Sequence, residues 1–344
     1  LIDEYDNPLT SSLNNPEGSL IRAKTRDMYG QLKPCADKIR FLFITGITRF
    51  SNQSIFSKLN NLRDLTMDKG YATAFGYTQQ ELESYFSEAL DAETLSGLKR
   101  WYDGYRFANG FEPYWGRTAA SKAVVEAARR ARLSFLPDEV KKIPLSSIYS
   151  FMADDLVSED VTAERVYAYL CMAGYLTIER IEGKYAYLRI PNFEVEGILC
   201  DVIATLYLGQ AAERFDDRIA GYLASCDFPS FMAEIQDLIR VPHYGMMKSE
   251  ESYQALIYTV LRKVADIDIR SEVRTAIGRA DLMIFIGQKL FIIELKRDKS
   301  AEEAMAQIRD RKYWDGYADR DIYLIGINID TSKDRELTYI AEHL

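Results

Sequence analysis

The sequence predicts an α/β protein of several domains, and three observations support this prediction. The chain has 344 residues, more than a single hydrophobic core usually serves. Apolar runs with strand-like and helix-like spacing alternate along it. The last 95 residues or so show the order αβββαβ: helix 252–265, strands 268–274, 279–286 and 290–296, helix 300–313 and strand 321–328.

The composition is typical of a soluble globular protein, with 47% hydrophobic and 28% charged residues. No apolar run approaches the roughly 20 residues that span a bilayer. No signal peptide is visible, so we expect a cytoplasmic protein without a membrane partner. The chain opens without a methionine, and we expect its natural start to lie upstream.

Cysteine and histidine usage excludes several kinds of metal site. The four cysteines lie far apart, without the paired spacing of a zinc site, and are expected to be buried free thiols in a reducing compartment. The chain has only two histidines, too few for a His-rich metal centre or a convincing triad. Any metal must therefore rely on carboxylates. The cysteines are Cys35, Cys171, Cys200 and Cys226.

The net charge of −9 argues against a wholly basic nucleic-acid binder, although a local positive patch is enough for binding. Seven basic residues cluster in the C-terminal part of the sequence. They could follow a phosphate backbone or form an ordinary solvated face, and the sequence leaves both readings open. They are Arg270, Arg274, Arg279, Lys289, Lys296, Arg297 and Lys299.

Charged residues interrupt two adjacent apolar strands in this region. Asp281 lies in the first strand, and Glu294 and Lys296 lie near the end of the second. Side chains alternate along a strand, so Glu294 and Lys296 share a face. With a carboxylate from the neighbouring strand they would form a divalent-metal site. The alternative is a pair of edge strands with solvated charges.

This pattern resembles the PD-(D/E)XK nuclease superfamily, with Asp281 as the first acid and Glu294-Leu295-Lys296 as the E-x-K. The resemblance implies Mg²⁺ or Mn²⁺ held by Asp281, Glu294 and the Leu295 carbonyl. It also implies that Lys296 aligns the attacking water and that Gln307 positions the water or a phosphate oxygen.

Two further acids are candidates for the same site. Glu272 opens the first strand of the αβββαβ region and could reach the metal. The superfamily often carries an acid on the preceding helix, and Glu251 is the candidate for that position.

The N-terminal part carries a second pattern. Leu1–Asp6 reads as the end of a buried strand running into two acids, Asp3 and Glu4. Residues 39–48 read as a second buried strand ending in polar residues. Such acids hold Mg²⁺ and polarise water in P-loop ATPases.

Together with the segments 49–66 and 101–107, this pattern resembles bacterial AAA-ATPase-like proteins with a C-terminal PD-(D/E)XK domain. The resemblance implies that Asp3 and Glu4 form the Walker B element. Thr45 would be a sensor of the γ-phosphate and Arg49 a second phosphate contact. It also suggests a homo-oligomer.

The phosphate-binding loop of such ATPases is missing from the sequence. No G-x-x-x-x-G-K-[ST] motif occurs, so we expect ATP and its Mg²⁺ to bind only to a longer form that contains the loop. ATPase activity is not expected of this chain.

The chain is thus predicted to comprise part of an AAA-ATPase-like domain (1–115), a helical, winged-helix-like lid and connector (116–245) and a nuclease-like domain of the restriction-endonuclease type (246–344). Within the lid and connector, the sequence predicts helices at 118–132, 161–173, 193–223 and 229–239 and a hairpin of strands 175–181 and 185–190. Residues 133–160 are interpreted as a connecting region. The lid could contact DNA or pack on the ATPase, and packing is favoured because no basic recognition helix is evident.

The function predicted from these residues is Mg²⁺-dependent hydrolysis of nucleic acid, of DNA in the first instance, coupled to an AAA-type ATPase module. The alternative is an ATP-dependent switch or scaffold whose nuclease-like domain binds a partner without cleaving it.

Overall fold

The structure is a computed structural model, and the chain divides into two compact units. One comprises Leu1–Leu133 and Val140–Ile198, and the other Ser134–Glu139 and Leu199–Leu344. The three-part division of the sequence remains a prediction. The structure describes residues 1–10, 17–46, 62–66, 68–106, 128, 140–151, 161–209, 211, 215, 218–243, 247–264, 267–274 and 278–344.

The helices of the N-terminal unit begin at polar capping residues where the sequence provides them. Thr78 forms a reciprocal capping box with Glu81, and Asp91 and Thr162 each accept a hydrogen bond from a backbone N–H in the first turn. Of the helix predicted at 118–132, the structure describes Ala128 alone, which is helical and buried. The helices are α1 (Asn7–Thr10), α2 (Gly18–Gly30), α3 (Gln79–Tyr85), α4 (Ala92–Tyr102), α5 (Leu145–Tyr149), α6 (Ala163–Met172) and the start of α7 (Phe193–Leu208), whose residues from Leu199 on belong to the second unit.

A three-stranded antiparallel sheet follows, formed by β1 (Lys141–Pro144), β2 (Thr177–Glu182) and β3 (Tyr185–Arg189) in the order β1-β3-β2. The hairpin β2–β3 was predicted. The interpretation of residues 133–160 as a connecting region was wrong for β1. This strand has four residues, and Ile143 is its one buried side chain, so it shows no detectable alternation.

Residues 102–106 (Tyr-Asp-Gly-Tyr-Arg) pack against this sheet and the segments next to it. The carbonyl oxygen of Pro191 lies 2.1 Å from where a Cβ of Gly104 would stand, and the φ of Gly104 is +101°, so only glycine fits. Arg106 donates a hydrogen bond from Nη1 to the Glu179 carbonyl at 2.7 Å. Tyr105 is buried and donates to the Gly174 carbonyl at 2.9 Å.

The prediction of a buried strand at 39–48 was wrong for residues 39–46, which the structure describes. They form an isolated parallel bridge between Ile44 and Ile2, and Phe41 is 78% exposed. A strand becomes buried when neighbours cover its faces, and within the described residues this segment pairs with the short Ile2 stretch alone.

The C-terminal unit contains helices α8 (Arg218–Ala224), α9 (Phe228–Arg240), α10 (Glu250–Leu261) and α11 (Ala301–Arg311). The helical stretch predicted at 193–223 holds two helices, α7 and α8. The predicted 229–239 helix corresponds to α9.

A five-stranded mixed sheet forms the core of this unit, in the order β4-β5-β6-β7-β8. The β6–β7 pair is parallel and the other pairs are antiparallel. The predicted αβββαβ order is present, but the sequence did not reveal β8. The strands are β4 (Asp268–Arg274), β5 (Arg279–Ile286), β6 (Lys289–Arg297), β7 (Asp321–Asp330) and β8 (Glu336–His343).

Helix α11 lies unusually close to the sheet at Gly326 of β7. A Cβ at this position would stand 2.7 Å from the Ala301 carbonyl oxygen and 2.7 Å from Cγ of Met305. Met305 and Ile308 of the helix are buried in the hydrophobic core of the sheet. Gly326 pairs with Glu294 of β6, so this close approach brings α11 over the strand that carries the E-x-K residues.

All four cysteines are free thiols. Cys200 is buried as expected, whereas Cys171 and Cys226 are half-buried and Cys35 is exposed, so the expectation of burial was wrong for Cys35.

Within the described part of the chain, no helix has the length and apolar character needed to cross a membrane.

Candidate active site

The candidate site begins where β5 and β6 separate. Their pairing runs from Ile286 to Leu282, which lies opposite Ile293. Beyond this pair, the Leu295 N–H donates to Oδ2 of Asp281 at 2.8 Å. Gln254 of α10 is buried and donates to the Asp281 carbonyl at 2.8 Å. The carboxylate of Asp281 is therefore fixed in the opening between the two strands.

Glu294 is the most deeply buried acid of the site, with 1% of its surface exposed. Its Oε1 accepts hydrogen bonds from Nζ of Lys296 at 3.0 Å and from Nε2 of Gln307. Its Oε2 is also buried and accepts no hydrogen bond within the described structure. A buried carboxylate oxygen without a donor is costly, and this oxygen is therefore a candidate ligand atom.

Lys296 lies on the same face of β6 and is 7% exposed. Besides Glu294, its Nζ donates to the Leu295 carbonyl at 2.9 Å and approaches Oε1 of Glu250 at 3.4 Å. Glu250 is the first residue of α10, and its Oε2 accepts from the Arg297 N–H at 3.1 Å. Three carboxylates thus surround one ammonium group.

Burial and the neighbouring charges shift the ionisation of both buried groups. Burial and the neighbouring Asp281 carboxylate raise the pKa of Glu294 from 4.5 to about 8, against the opposing effect of Lys296. Burial by itself would lower the pKa of Lys296, but the attraction and hydrogen bond of Glu294 outweigh it and raise that pKa. Lys296 therefore remains an ammonium group at neutral pH.

The residues present fit a Mg²⁺ or Mn²⁺ ion. Mg²⁺ is commonly held by one or two carboxylates and keeps several waters or phosphate oxygens as its remaining ligands. Asp281 and Glu294 provide the carboxylates, and the unpartnered Oε2 of Glu294 is available to a cation. No group of three or more His, Cys, Asp or Glu side chains suited to a metal occurs in the described regions, so the fit depends on water and substrate oxygens.

Gln307 reaches the site from α11. Its Nε2 donates to Glu294 and also to the hydroxyl of Tyr313 at 3.1 Å. Tyr313 is 1% exposed, and burial raises its pKa, so its hydroxyl remains protonated. The amide of Gln307 is therefore fixed against the E-x-K strand.

The structure brings together Asp281, Glu294, Leu295, Lys296 and Gln307 among the predicted residues. Glu272 lies in β4 between positions paired with β5, and its side chain lies outside the described part of the structure.

The acid of helix α10 that lies beside Lys296 is Glu250, at 3.4 Å, whereas the predicted Glu251 is exposed. Successive residues of a helix are about 100° apart, so neighbouring acids face different directions. The capping residue Ser249 accepts from the Ser252 N–H, and it was the signal that could have located the helix start and favoured Glu250.

The basic cluster of the sequence divides between the two ends of the sheet. Lys289 donates to the Ala224 carbonyl at 2.7 Å and to Cys226, and Arg270 pairs with Asp268. Both lie at the end of the strands away from the E-x-K residues. Arg279, at the start of β5, and Lys299, just beyond β6, are exposed at the site end.

Two of the predicted nucleotide-binding residues are neighbours. The hydroxyl of Thr45 donates to Oδ1 of Asp3, and the backbones of Ile2 and Thr45 are hydrogen-bonded. Glu4 is exposed and has a φ of +51°. Arg49 lies outside the described residues.

Comparison with known families assigns both ends of the chain. Residues 248–338 match the PD-(D/E)XK nuclease superfamily, and residues 1–56 match the family described as "Predicted AAA-ATPase". The chain therefore combines an AAA-ATPase-like region with a PD-(D/E)XK nuclease superfamily domain, a superfamily whose members generally use divalent metals such as Mg²⁺ or Mn²⁺.

One relative aligns with the whole chain. It is a protein of Azotobacter chroococcum mcd 1 described as "Uncharacterized protein in vnfD 5'region", and it is 27% identical over 377 aligned residues, which cover 100% of this chain and 71% of the relative. No solved structure matches the chain significantly.

Proposed function

We propose that the C-terminal domain is a Mg²⁺- or Mn²⁺-dependent nuclease that hydrolyses phosphodiester bonds of DNA. The main support is the convergence of Asp281, Glu294 and Lys296, with a buried, unpartnered Glu294 oxygen in a site of excess negative charge. A site of this kind is destabilised until a cation enters it.

Each residue then has a distinct role. Asp281 and Glu294 hold the metal, with the Leu295 carbonyl as a third oxygen ligand. A divalent cation bound there would lower the pKa of a bound water and offset charge on the reacting phosphate.

Lys296 contributes as a hydrogen-bond donor. Since its pKa is raised, its ammonium group orients the water and stabilises negative charge on the phosphate, and it does not remove a proton. Gln307, held by Tyr313, positions the water or a phosphate oxygen.

The test is cleavage of supercoiled plasmid by the purified chain. We expect nicking with Mg²⁺ or Mn²⁺ and none with EDTA. Asp281→Ala and Lys296→Ala should each lose activity by about 100-fold or more. Lys289→Ala is the matched control, because Lys289 lies at the opposite end of the sheet, and it should retain activity. Equal cleavage by wild type and Asp281→Ala would overturn the proposal and favour a scaffold that binds without cleaving.

We propose in addition that residues 1–115 belong to an AAA-type ATPase module that regulates the nuclease. The support is the family match over residues 1–56 and the hydrogen bond between Thr45 and Asp3. In this proposal Asp3 and Glu4 act on Mg²⁺ and water, and Thr45 and Arg49 contact the nucleotide. The lid assigned to residues 116–245, oligomerisation and a cytoplasmic location belong to the same proposal.

A further inference from the structure

The solvent-facing side of the β1-β3-β2 sheet carries an ordered array of cations and tyrosines. Lys142, Tyr187 and Arg180 are paired neighbours in register across the three strands. The intervening residues Ile143 and Ala186 are buried. One face of the sheet therefore packs on the unit, and the other carries Lys142 and Arg180, which are exposed.

The cations of this face lie over the tyrosine rings. The Arg180 guanidinium lies 3.8 Å from the ring centre of Tyr187. The Lys142 ammonium lies 4.2 Å, and that of Lys184 5.6 Å, from the ring centre of Tyr185. Contact with one ring holds these two ammonium groups close together at the tip of the hairpin.

The charges of this face are only partly balanced. Arg180 forms ion pairs with Glu179 at 2.5 Å and with Glu182 at 2.8 Å. Lys142 and Lys184 have no carboxylate within ion-pair distance among the described residues, and both are exposed. Lys142 still interacts electrostatically with Glu182 of the same face, so the three cations exceed the two carboxylates by one charge. In a protein of net charge −9, two ammonium groups without a direct ion pair on this sheet face are suited to an anionic partner.

We propose that this hairpin face, defined by Lys142, Arg180, Lys184, Tyr185 and Tyr187, is a second nucleic-acid contact that binds the phosphate backbone of the DNA. It rests on the proposed DNA substrate. A duplex carries one negative charge per about 1.7 Å of its axis, so two neighbouring ammonium groups face several phosphates. Because cations cover the rings, the tyrosines are not open stacking surfaces for bases, and the contact carries no sequence preference.

A contact with the phosphate backbone does not require a basic recognition helix. The cations of this face lie on β1, on β2 and in the turn between β2 and β3.

The test measures binding of a fluorescein-labelled DNA duplex by fluorescence anisotropy in EDTA, where no metal-dependent cleavage occurs. The variant is Lys142→Gln/Lys184→Gln in the full chain. Its control is Lys33→Gln/Lys38→Gln, which removes the same charge from two exposed lysines of the same unit. Thermal unfolding checks that both variants fold.

We expect the hairpin variant to bind about tenfold more weakly and to lower the slope of log affinity against log salt by about two, one for each lost phosphate contact. The control should change neither. Single-stranded DNA should show the same loss. An unchanged affinity and slope, equal losses in the control, no DNA binding by the wild type, or a loss confined to single-stranded DNA would each overturn the proposal. Plasmid cleavage with Mg²⁺ is a separate measurement, so the nuclease proposal can fail or stand independently.

Discussion

At the scale of single residues, Glu294 and Lys296 are the two buried charged groups at the centre of the candidate site. They are two positions apart on one strand and both almost fully buried. With Asp281 and Glu250 nearby, the pair is not neutral, and a carboxylate oxygen of Glu294 has no donor. Such an arrangement costs stability unless it serves to bind a cation.

The first prediction concerns the pH dependence of the metal-free protein. A glutamate side chain has an ordinary pKa of 4.5, and the pKa of Glu294 in the folded protein is raised to about 8. Since the folded protein binds this proton more tightly than the unfolded chain does, stability falls as the pH rises from 4.5 through about 8. Glu294→Gln cannot ionise and should show a smaller fall.

Thermal unfolding in EDTA across this pH range measures the effect, and MgCl₂ at the upper end should restore stability to the wild type. If the stability of Glu294→Gln and of the wild type fell equally with pH, the raised pKa assigned to Glu294 would be contradicted.

Much of the site was predictable at this scale because the E-x-K spacing and strand alternation alone place Glu294 and Lys296 on one face. Glu250 was not found, since choosing between adjacent acids requires the start of the helix to within one residue. The sequence also did not show that Lys289 and Lys299 lie at opposite ends of the sheet. Closeness in sequence does not reveal which end of a strand a charged residue occupies.

Helix α11 controls the site at the scale of secondary-structure elements. It carries Gln307, and its distance from β7 is set by Gly326. The strand β7 in turn pairs in parallel with β6, which carries Glu294. A change that lifts the helix should therefore affect catalysis without touching any proposed catalytic residue.

The second prediction is that Gly326→Ala weakens both stability and cleavage. The added methyl would meet the Ala301 carbonyl and the Met305 backbone N at 2.7 and 2.9 Å, an overpacking that costs about 1–3 kcal/mol. Displacement of α11 should draw Gln307 away from Glu294 and lower kcat.

Gly221→Ala in α8 is the control, because nothing lies within 4 Å of its added Cβ and alanine favours a helix. The comparison uses chemical denaturation and single-turnover cleavage. A Gly326→Ala protein as stable and active as the control would show that α11 does not depend on this close approach.

The two strands that the sequence did not reveal, β8 and β1, escaped prediction for different physical reasons. Strand β8 is an edge strand with Glu336, Glu342 and His343 on it, and edge strands often carry such charges. Strand β1 is too short to show a period. By contrast, β5 and β6 are nearly continuous apolar runs buried in the centre of the sheet. Such runs can be recognised as strands from the sequence.

The whole molecule joins an AAA-ATPase-like region to a PD-(D/E)XK domain. The Asp3–Thr45 hydrogen bond is compatible with a nucleotide-sensing role. The sequence, however, contains no phosphate-binding loop motif, and that loop supplies the contacts that hold the triphosphate.

The third prediction is that ATP leaves the cleavage rate of this chain unchanged at constant free Mg²⁺. Backbone N–H groups and a lysine of the missing motif provide the phosphate binding of P-loop ATPases. Plasmid cleavage is compared with ATP, with CTP as a matched chelator of Mg²⁺, and with neither. A change in rate specific to ATP would contradict the prediction and indicate a different nucleotide site.

The central claim is that Asp281 and Glu294 hold a divalent metal, and a crystal soaked in MnCl₂ tests it most directly. Anomalous scattering locates Mn²⁺ independently of activity. We predict a peak bonded to the Asp281 and Glu294 carboxylates, and its loss in Asp281→Ala. The absence of a peak between these two carboxylates at saturating Mn²⁺ would contradict the claim.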